Sequence, residues 1–335
     1  MPVCGGGSAM KRRNFIKLVC AAAAWPLPVA AQQSSERRVI GVLLPISSIA
    51  AARNLEALRA GLRGLGYSED RNITLEARYA DGAIERLPGL AAELVALKPS
   101  VIVAGSPPAV LAVRNITRTI PIVMNSSPDP VAIGLASSIA RPGGNVTGFW
   151  WADKTLVGKR FGLLKELLPD AVRVAFLVHP DDPTDAEEIK EAPIASNALG
   201  LNVRIFEART ASEAEAAFAT IVRENMQAIC FGTSPLFVSN RTVLVELAAR
   251  ARLPAVYSFR EFAIVGGLMS YGASLSDLYR RKAAFIDKIL KGASPADLPI
   301  ERPVTFELLI NLKSAKALGL NMPPSLFARA DEVIE

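Results

Sequence analysis

The fold is decided by residues 39–66, which read VIGVLLPISSIAAARNLEALRAGLRGLG. The first eight residues are almost all apolar, which is typical of a parallel β-strand covered on both faces. Beyond residue 51, leucines recur three or four residues apart, at Leu55, Leu58, Leu62 and Leu65. This spacing predicts an amphipathic helix, and a strand followed by a helix predicts a right-handed βαβ unit.

The same alternation of strand and helix continues along the chain. Strands are predicted at residues 39–46, 73–79, 101–105, 120–125, 173–178, 202–207, 228–232 and 255–259. The pattern pauses once, at residues 140–151, where Pro142, Gly143 and Gly144 indicate a loop, and then starts again. The sequence therefore predicts an α/β protein with two lobes, each built on a doubly wound parallel sheet.

Two later β-like runs, at 266–272 and 303–311, are separated by a single helix at 275–291. One helix is too little for a domain, so we expect the chain to return to the first lobe and leave it again. Three crossings of this kind imply a hinge and a cleft. The predicted lobes are residues 37–148 plus 268–300 and residues 149–267 plus 301–335.

Residues 1–31 are predicted to be a cleaved export signal. A charged start at Lys11 to Lys17 precedes a short apolar run and a small-x-small site at Val29 and Ala31. The pair Arg12-Arg13 resembles a twin-arginine signal; general secretion and a start at Met10 stay open as alternatives. We therefore expect a periplasmic protein.

Charge and composition exclude several classes of function. Without the four cations of the leader, the chain has 34 of its 38 basic residues and 32 acidic ones, which is close to neutral. No run of basic residues with aromatics follows the leader, so nucleic-acid binding is not expected. The lone His179 and lone Cys230 of the mature chain make neither a catalytic triad nor a metal site. No glycine-rich dinucleotide motif follows the first strand. We expect neither enzyme activity nor a cofactor.

Polar residues recur where the predicted strands end, and ligands of open α/β sheets bind beyond these carboxyl ends. The candidate contact residues there are Ser47, Ser48, Ser106, Asn125, Ser126, Ser127, Asp129, Asp181, Thr233, Ser234, Tyr257 and Arg260. Hydroxyls and helix N-terminal N–H groups favour a carboxylate, which Arg260 could also bind, and Asp129 could complement an ammonium group. Helix N-capping is the alternative interpretation of each serine, threonine or aspartate.

Aromatic residues lie on the predicted crossings between the lobes. Trp150 and Trp151 are on the first crossing and Tyr271 is on the second. Adjacent strand residues face opposite ways, so at most one of the two tryptophans faces the cleft. Trp150 and Tyr271 are the candidates for stacking on a ligand, and ordinary packing is the alternative.

Several segments resemble one protein family. They read RPGGNVTG (141–148), LLKELLP (163–169), GGLMSYG (266–272), ILKGASPADLP (289–299) and FELLINLKSAKALGL (306–320). Together with the leader they resemble the ABC transporter substrate-binding family that includes tryptophan-binding lipoproteins. The resemblance implies the type I periplasmic-binding-protein fold, with two Rossmann-like lobes and three hinge strands that close over a small molecule.

The resemblance also implies a function. The protein is expected to be a monomer that binds a small solute, an amino acid or an aromatic or other organic carboxylate. It would deliver this solute to an ABC permease and ATPase in the inner membrane. The segment Ser126 to Pro130 is expected to line the cleft, with Asp129 at an amino group. An exported sensor subunit and an exported α/β hydrolase are the alternative functions.

Overall fold

Two β-sheets organise the chain. The computed structural model describes residues 37–126, 128–151 and 155–335, apart from the side chain of Thr184. The predicted export signal and the candidate contact residue Ser127 lie outside the described residues.

The first sheet is entirely parallel. Its strands are β1 (Arg38–Leu44), β2 (Ile73–Tyr79), β3 (Val101–Ala104), β4 (Ile122–Ser126) and β5 (Val146–Trp150). They lie in the order β2–β1–β3–β4–β5. The helices that follow its strands are α1 (Ser48–Gly64), α2 (Leu87–Ala96), preceded by a 3₁₀ turn at Ile84–Arg86, and α3 (Pro107–Ile116).

The second sheet is larger. Its strands are β6 (Arg173–Val178), β7 (Asn202–Glu207), β8 (Ala228–Phe231), β9 (Ala255–Tyr257), β10 (Met269–Ala273), β11 (Phe306–Asn311) and β12 (Glu332–Ile334). They lie in the order β12–β11–β10–β9–β8–β6–β7. All neighbours pair in parallel except β10 and β11, which are antiparallel.

The remaining helices follow β5 in the chain. They are α4 (Thr155–Leu167), α5 (Pro183–Ala198), α6 (Ala211–Arg223), α7 (Pro235–Ser239), α8 (Arg241–Arg250), α9 (Arg260–Ile264), α10 (Leu275–Leu290), α11 (Leu312–Leu318) and α12 (Pro324–Arg329), with a 3₁₀ turn at Pro295–Asp297. None of these or the earlier helices combines the length and apolar character needed to span a membrane.

Helix α10 crosses back to the first lobe, as the sequence predicts for residues 275–291. It packs on α1 so closely that a Cβ at Gly61 would lie 2.3 Å from the carbonyl oxygen of Arg280. The strand before it, β10, pairs with β9 and β11 of the second sheet. Hydrogen bonding thus places residues 269–273 with the second sheet, whereas the predicted boundary placed them with the first.

Apolar packing continues from one lobe into the other. A single cluster of buried side chains includes Val42 and Val103 of the first sheet, Phe231 and Tyr257 of the second, and Trp151 between them. The predicted α/β class, with two lobes built on mainly parallel sheets, is confirmed. Residues at the carboxyl ends of β1, β3 and β4 line one space together with residues at the ends of β8 and β9.

Candidate functional site

A cavity lies between the lobes, beyond these strand ends. Its walls are formed by Leu44, Pro45, Ile46, Asn54, Gly105, Ser106, Pro107, Asn125, Trp151, Thr233, Pro235, Val238, Phe259, Leu275 and Tyr279. The cavity measures about 50 Å³ and is mainly apolar. A space of this size holds a few water molecules at most.

Gly105 and Ser106 shape the first-lobe wall, directly after β3. The Oγ of Ser106 accepts a hydrogen bond from the backbone N–H of Ala109, 3.4 Å away, and so caps α3. A Cβ on Gly105 would lie 2.7 Å from the Oη of Tyr279 and 2.6 Å from the Cδ2 of Leu44. The absence of a side chain here therefore lets Tyr279, from α10, reach the cavity.

Thr233 forms the polar part of the second-lobe wall, directly after β8. Its backbone N–H donates to the Oδ1 of Asp185 over 2.6 Å, and the backbone N–H of His179 donates to Oδ2 over 2.7 Å. Asp185 is fully buried, and burial, reinforced by Glu188 and Asp182, raises its pKa well above the usual range. Asp185 thus joins the loops after β6 and β8 behind the cavity.

Two asparagines on the first-lobe wall have unused hydrogen-bonding groups. Asn125, at the end of β4, is fully buried, and neither its Nδ2 nor its Oδ1 has a partner among the described residues. The Oδ1 of Asn54, in α1, is also buried without a partner there. Buried amides normally have partners, so these atoms are available to a ligand.

Aromatic rings form much of the remaining surface. Trp151, rather than the predicted Trp150, lines the cavity, together with Phe259 and Tyr279. The ring of Trp150 lies under the guanidinium of Arg302, 4.4 Å from it, on the opposite side of the strand. Adjacent residues of an extended chain point in opposite directions, which accounts for this difference.

Three other aromatic or cationic candidates, in or after β9 and in β10, lie off the cavity. Tyr257 is buried between the rings of Phe231 and Phe262, with 4.8 Å between centroids on each side. Arg260 forms ion pairs with Glu307 and Glu332 within the second lobe. Tyr271, in β10, faces Lys159 at 5.9 Å. Their hydrogen bonds and ring contacts are made inside the second lobe.

Several polar candidates act in local turns and caps. Ser47 caps α1, and Ser48 is exposed as its first residue. Ser126 Oγ donates to the carbonyl of Pro128 over 2.8 Å, and Asp129 Oδ1 accepts from the N–H of Val131 over 2.8 Å.

In the second lobe, Asp181 is exposed and pairs with Arg209 at 2.6 Å. Ser234 donates to Asp182 over 2.7 Å and caps α7. Of the predicted contact residues, Ser106, Asn125 and Thr233 therefore lie on the cavity wall. Ser47 and Ser234 are helix caps, and the other described candidates make turn hydrogen bonds, ion pairs or ring contacts or, like Ser48, are exposed.

The sequence analysis missed Asn54 and Tyr279. Asn54 follows Ala51 by three residues and precedes Leu58 by four, so it lies on the apolar stripe of α1. A polar residue on such a stripe was a usable signal. The sequence around Tyr279 contains no such signal, because the periodicity of α10 does not indicate which sheet the helix covers.

No group of His, Cys, Asp and Glu within the described ranges is arranged to bind a metal ion. Cys230 lies fully buried in β8, where burial raises its thiol pKa to about 12. Its thiol is therefore protonated at neutral pH.

Comparison with known proteins agrees with this architecture. The chain is similar to a tyrosine-binding protein of Clostridioides difficile (strain R20291), with 25% identity over 289 residues, which cover 86% of this chain and 82% of that protein. It is also similar to the crystal structure of an ABC domain in complex with L-Trp from Streptococcus pneumonia, with 25% identity, a TM-score of 0.82, and coverage of 89% of this chain and 100% of that one.

A conserved domain protein from Vibrio cholerae has the same fold, with 23% identity, a TM-score of 0.82 and coverage of 89% and 100%. The family model described as ABC transporter substrate binding protein matches residues 39–334. The chain therefore belongs to the family of ABC transporter substrate-binding proteins and has the two-lobed fold of type I periplasmic binding proteins.

Proposed function

We propose that this protein is the periplasmic substrate-binding component of an ABC importer and performs no reaction of its own. Its solute is a small organic molecule, an amino acid or an aromatic or other organic carboxylate. The observation that carries the proposal is the cavity between the lobes, which has aromatic walls and amide atoms that find no partner within the described parts of the chain. Small-molecule sites typically combine apolar walls with a few placed polar groups.

The composition of the walls supports an aromatic or apolar solute with one polar end. Trp151, Phe259 and Tyr279 offer ring surfaces, and Asn125 and Asn54 offer amide groups. The similar proteins that are described with tyrosine or L-Trp support the same choice. An ammonium group would meet Asp129 through Oδ2, since Oδ1 already accepts a hydrogen bond from Val131.

The small volume supports binding by closure. A cavity of about 50 Å³ is too small for an aromatic amino acid, so a solute enters only when the lobes separate or the side chains rotate. A ligand that contacts both walls then favours the closed arrangement by its differential affinity for that state. A permease and an ATPase would receive the solute from a monomeric binding protein.

A thermal-shift screen of the mature chain against amino acids and aromatic acids tests the proposal. A solute at one hundred times its Kd stabilises the folded state by about 2.7 kcal/mol, which raises Tm by several degrees. The same solute should change tryptophan emission in wild type and in Trp150→Phe, and the change should be absent in Trp151→Phe. The proposal is wrong if no amino acid or organic acid raises Tm, or if an ester or amide in the screen is turned over.

A further inference from the structure

Lys282 is a fully buried lysine, and the part of the chain that the structure describes supplies no counter-ion for it. Its side chain is 0% exposed, and its Nζ has no hydrogen-bond partner among the described residues. Burial alone lowers its pKa well below the usual range. An unpaired buried amine destabilises a folded protein, so its presence calls for a role that the internal packing does not supply.

The position of Lys282 in α10 directs its side chain toward Tyr279, which lines the cavity. The N-terminal part of this helix lines the cavity through Leu275 and Tyr279. Side chains of an α-helix lean toward its N-terminus, and a residue at i+3 lies over residue i. In agreement, the Nζ of Lys282 lies 4.1 Å from the ring centroid of Tyr279. Rotation of this one ring would open the space between the amine and the cavity.

Asn125 lies on the side of the first sheet that α10 covers. Val123, two residues earlier on β4, packs in the same apolar cluster as Leu278 and Phe285 of α10. Side chains on a strand alternate with a period of two, so Asn125 also points to the α10 side of the sheet. Its Nδ2, like the Nζ of Lys282, is a buried donor for which the described ranges supply no acceptor.

We propose that Lys282, assisted by the side-chain amide of Asn125, holds the carboxylate of the bound solute. A carboxylate supplies the negative charge that the amine lacks and acceptor oxygens for the N–H donors of both groups. The inference rests on the proposed function and narrows it to organic acids with one carboxylate at this end, amino acids included. Solutes whose polar end is an uncharged amide bind more weakly.

Isothermal titration with matched pairs of probes tests this role. The pairs are L-phenylalanine with L-phenylalaninamide, and 3-phenylpropanoate with 3-phenylpropanamide. Lys282→Met removes the charge and keeps the length of the side chain; Lys288→Met, at an exposed position of the same helix, is the control. We expect wild type and the control to prefer each carboxylate over its amide by about ten- to one-hundredfold, and Lys282→Met to lose that preference.

Each of three other outcomes would contradict a different part of the proposal. If Lys282→Met keeps the wild-type preference, the role of the lysine is wrong and solute binding stands. If wild type binds amides as well as carboxylates, the assigned solute class is wrong. If wild type binds none of the probes or screened acids, the proposed function fails and this inference fails with it. A Tm of Lys282→Met at or above that of wild type confirms that lost binding does not reflect unfolding, and Lys282→Gln replaces it if Tm falls.

Discussion

Substitution of Gly232 by alanine should displace Asp185 behind the second-lobe wall and lower the stability of the protein. A Cβ at this position would lie 2.5 Å from the Oδ2 of Asp185 and 2.6 Å from its Cγ and Oδ1. Ordinary contact requires about 3.5 Å, so the carboxyl group must retreat by about 1 Å. That movement breaks the hydrogen bonds that it accepts from His179 and Thr233, at 2.7 and 2.6 Å.

The expected loss follows from these two effects. Overpacking of a rigid site and the loss of two buried hydrogen bonds together lower the free energy of unfolding by about 2–4 kcal/mol. Urea-induced unfolding followed by fluorescence measures this loss. Gly89→Ala on α2 is the control, because an added Cβ there meets nothing within 4 Å and should leave stability unchanged or slightly higher.

A double-mutant cycle decides whether Asp185 is the cause. In the background of Asp185→Ala, which is itself destabilised, the added methyl group at Gly232 no longer meets a carboxylate. Its cost should then fall to about 0.5 kcal/mol or less. Equal losses in both backgrounds would refute the reasoning, since the clash would then lie elsewhere.

Two further predictions concern the interior of the second lobe. Arg160 is 1% exposed and donates a hydrogen bond to Glu188, so Arg160→Met should lower the free energy of unfolding by about 3–5 kcal/mol. Arg204→Met, in the exposed pair with Glu224, should lower it by about 1 kcal/mol or less. Similar urea midpoints for the two variants would contradict this prediction. Cys230 should not react with a thiol reagent at pH 8 until the protein unfolds. Because folding raises its thiol pKa from 9.0 to about 12, wild type should lose stability relative to Cys230→Ala as pH rises above 9. Rapid reaction of the native thiol, or parallel pH curves, would show that Cys230 is accessible.

The strands were predictable because burial and periodicity are local properties of the chain. The predicted bounds 73–79, 173–178 and 202–207 agree with β2, β6 and β7. The edge of the sheets that carries the cavity was predictable as well, since parallel strands present all their carboxyl ends together. Polar residues at the ends of β3, β4 and β8 do lie on the cavity wall.

The individual contacts were less predictable, because one side chain can serve two purposes with the same sequence signature. A serine after a strand suits both a helix cap and a ligand, and Ser47 is a cap that lies off the cavity wall, whereas Ser106 is a cap that lines it. Of two adjacent tryptophans, at most one could face the cleft, and which one depends on how the strand packs against its neighbours.

The α/β class and the two lobes followed from the order of residues along the chain. Hydrophobic spacing and turn residues act over a few positions, so the linear order is enough to predict such elements. Only the folded chain shows that Tyr279 lies beside strand ends more than a hundred residues earlier, at Leu44, Gly105 and Asn125. Which helix covers which sheet depends on the packing of distant surfaces, and no local pattern in the chain records that choice.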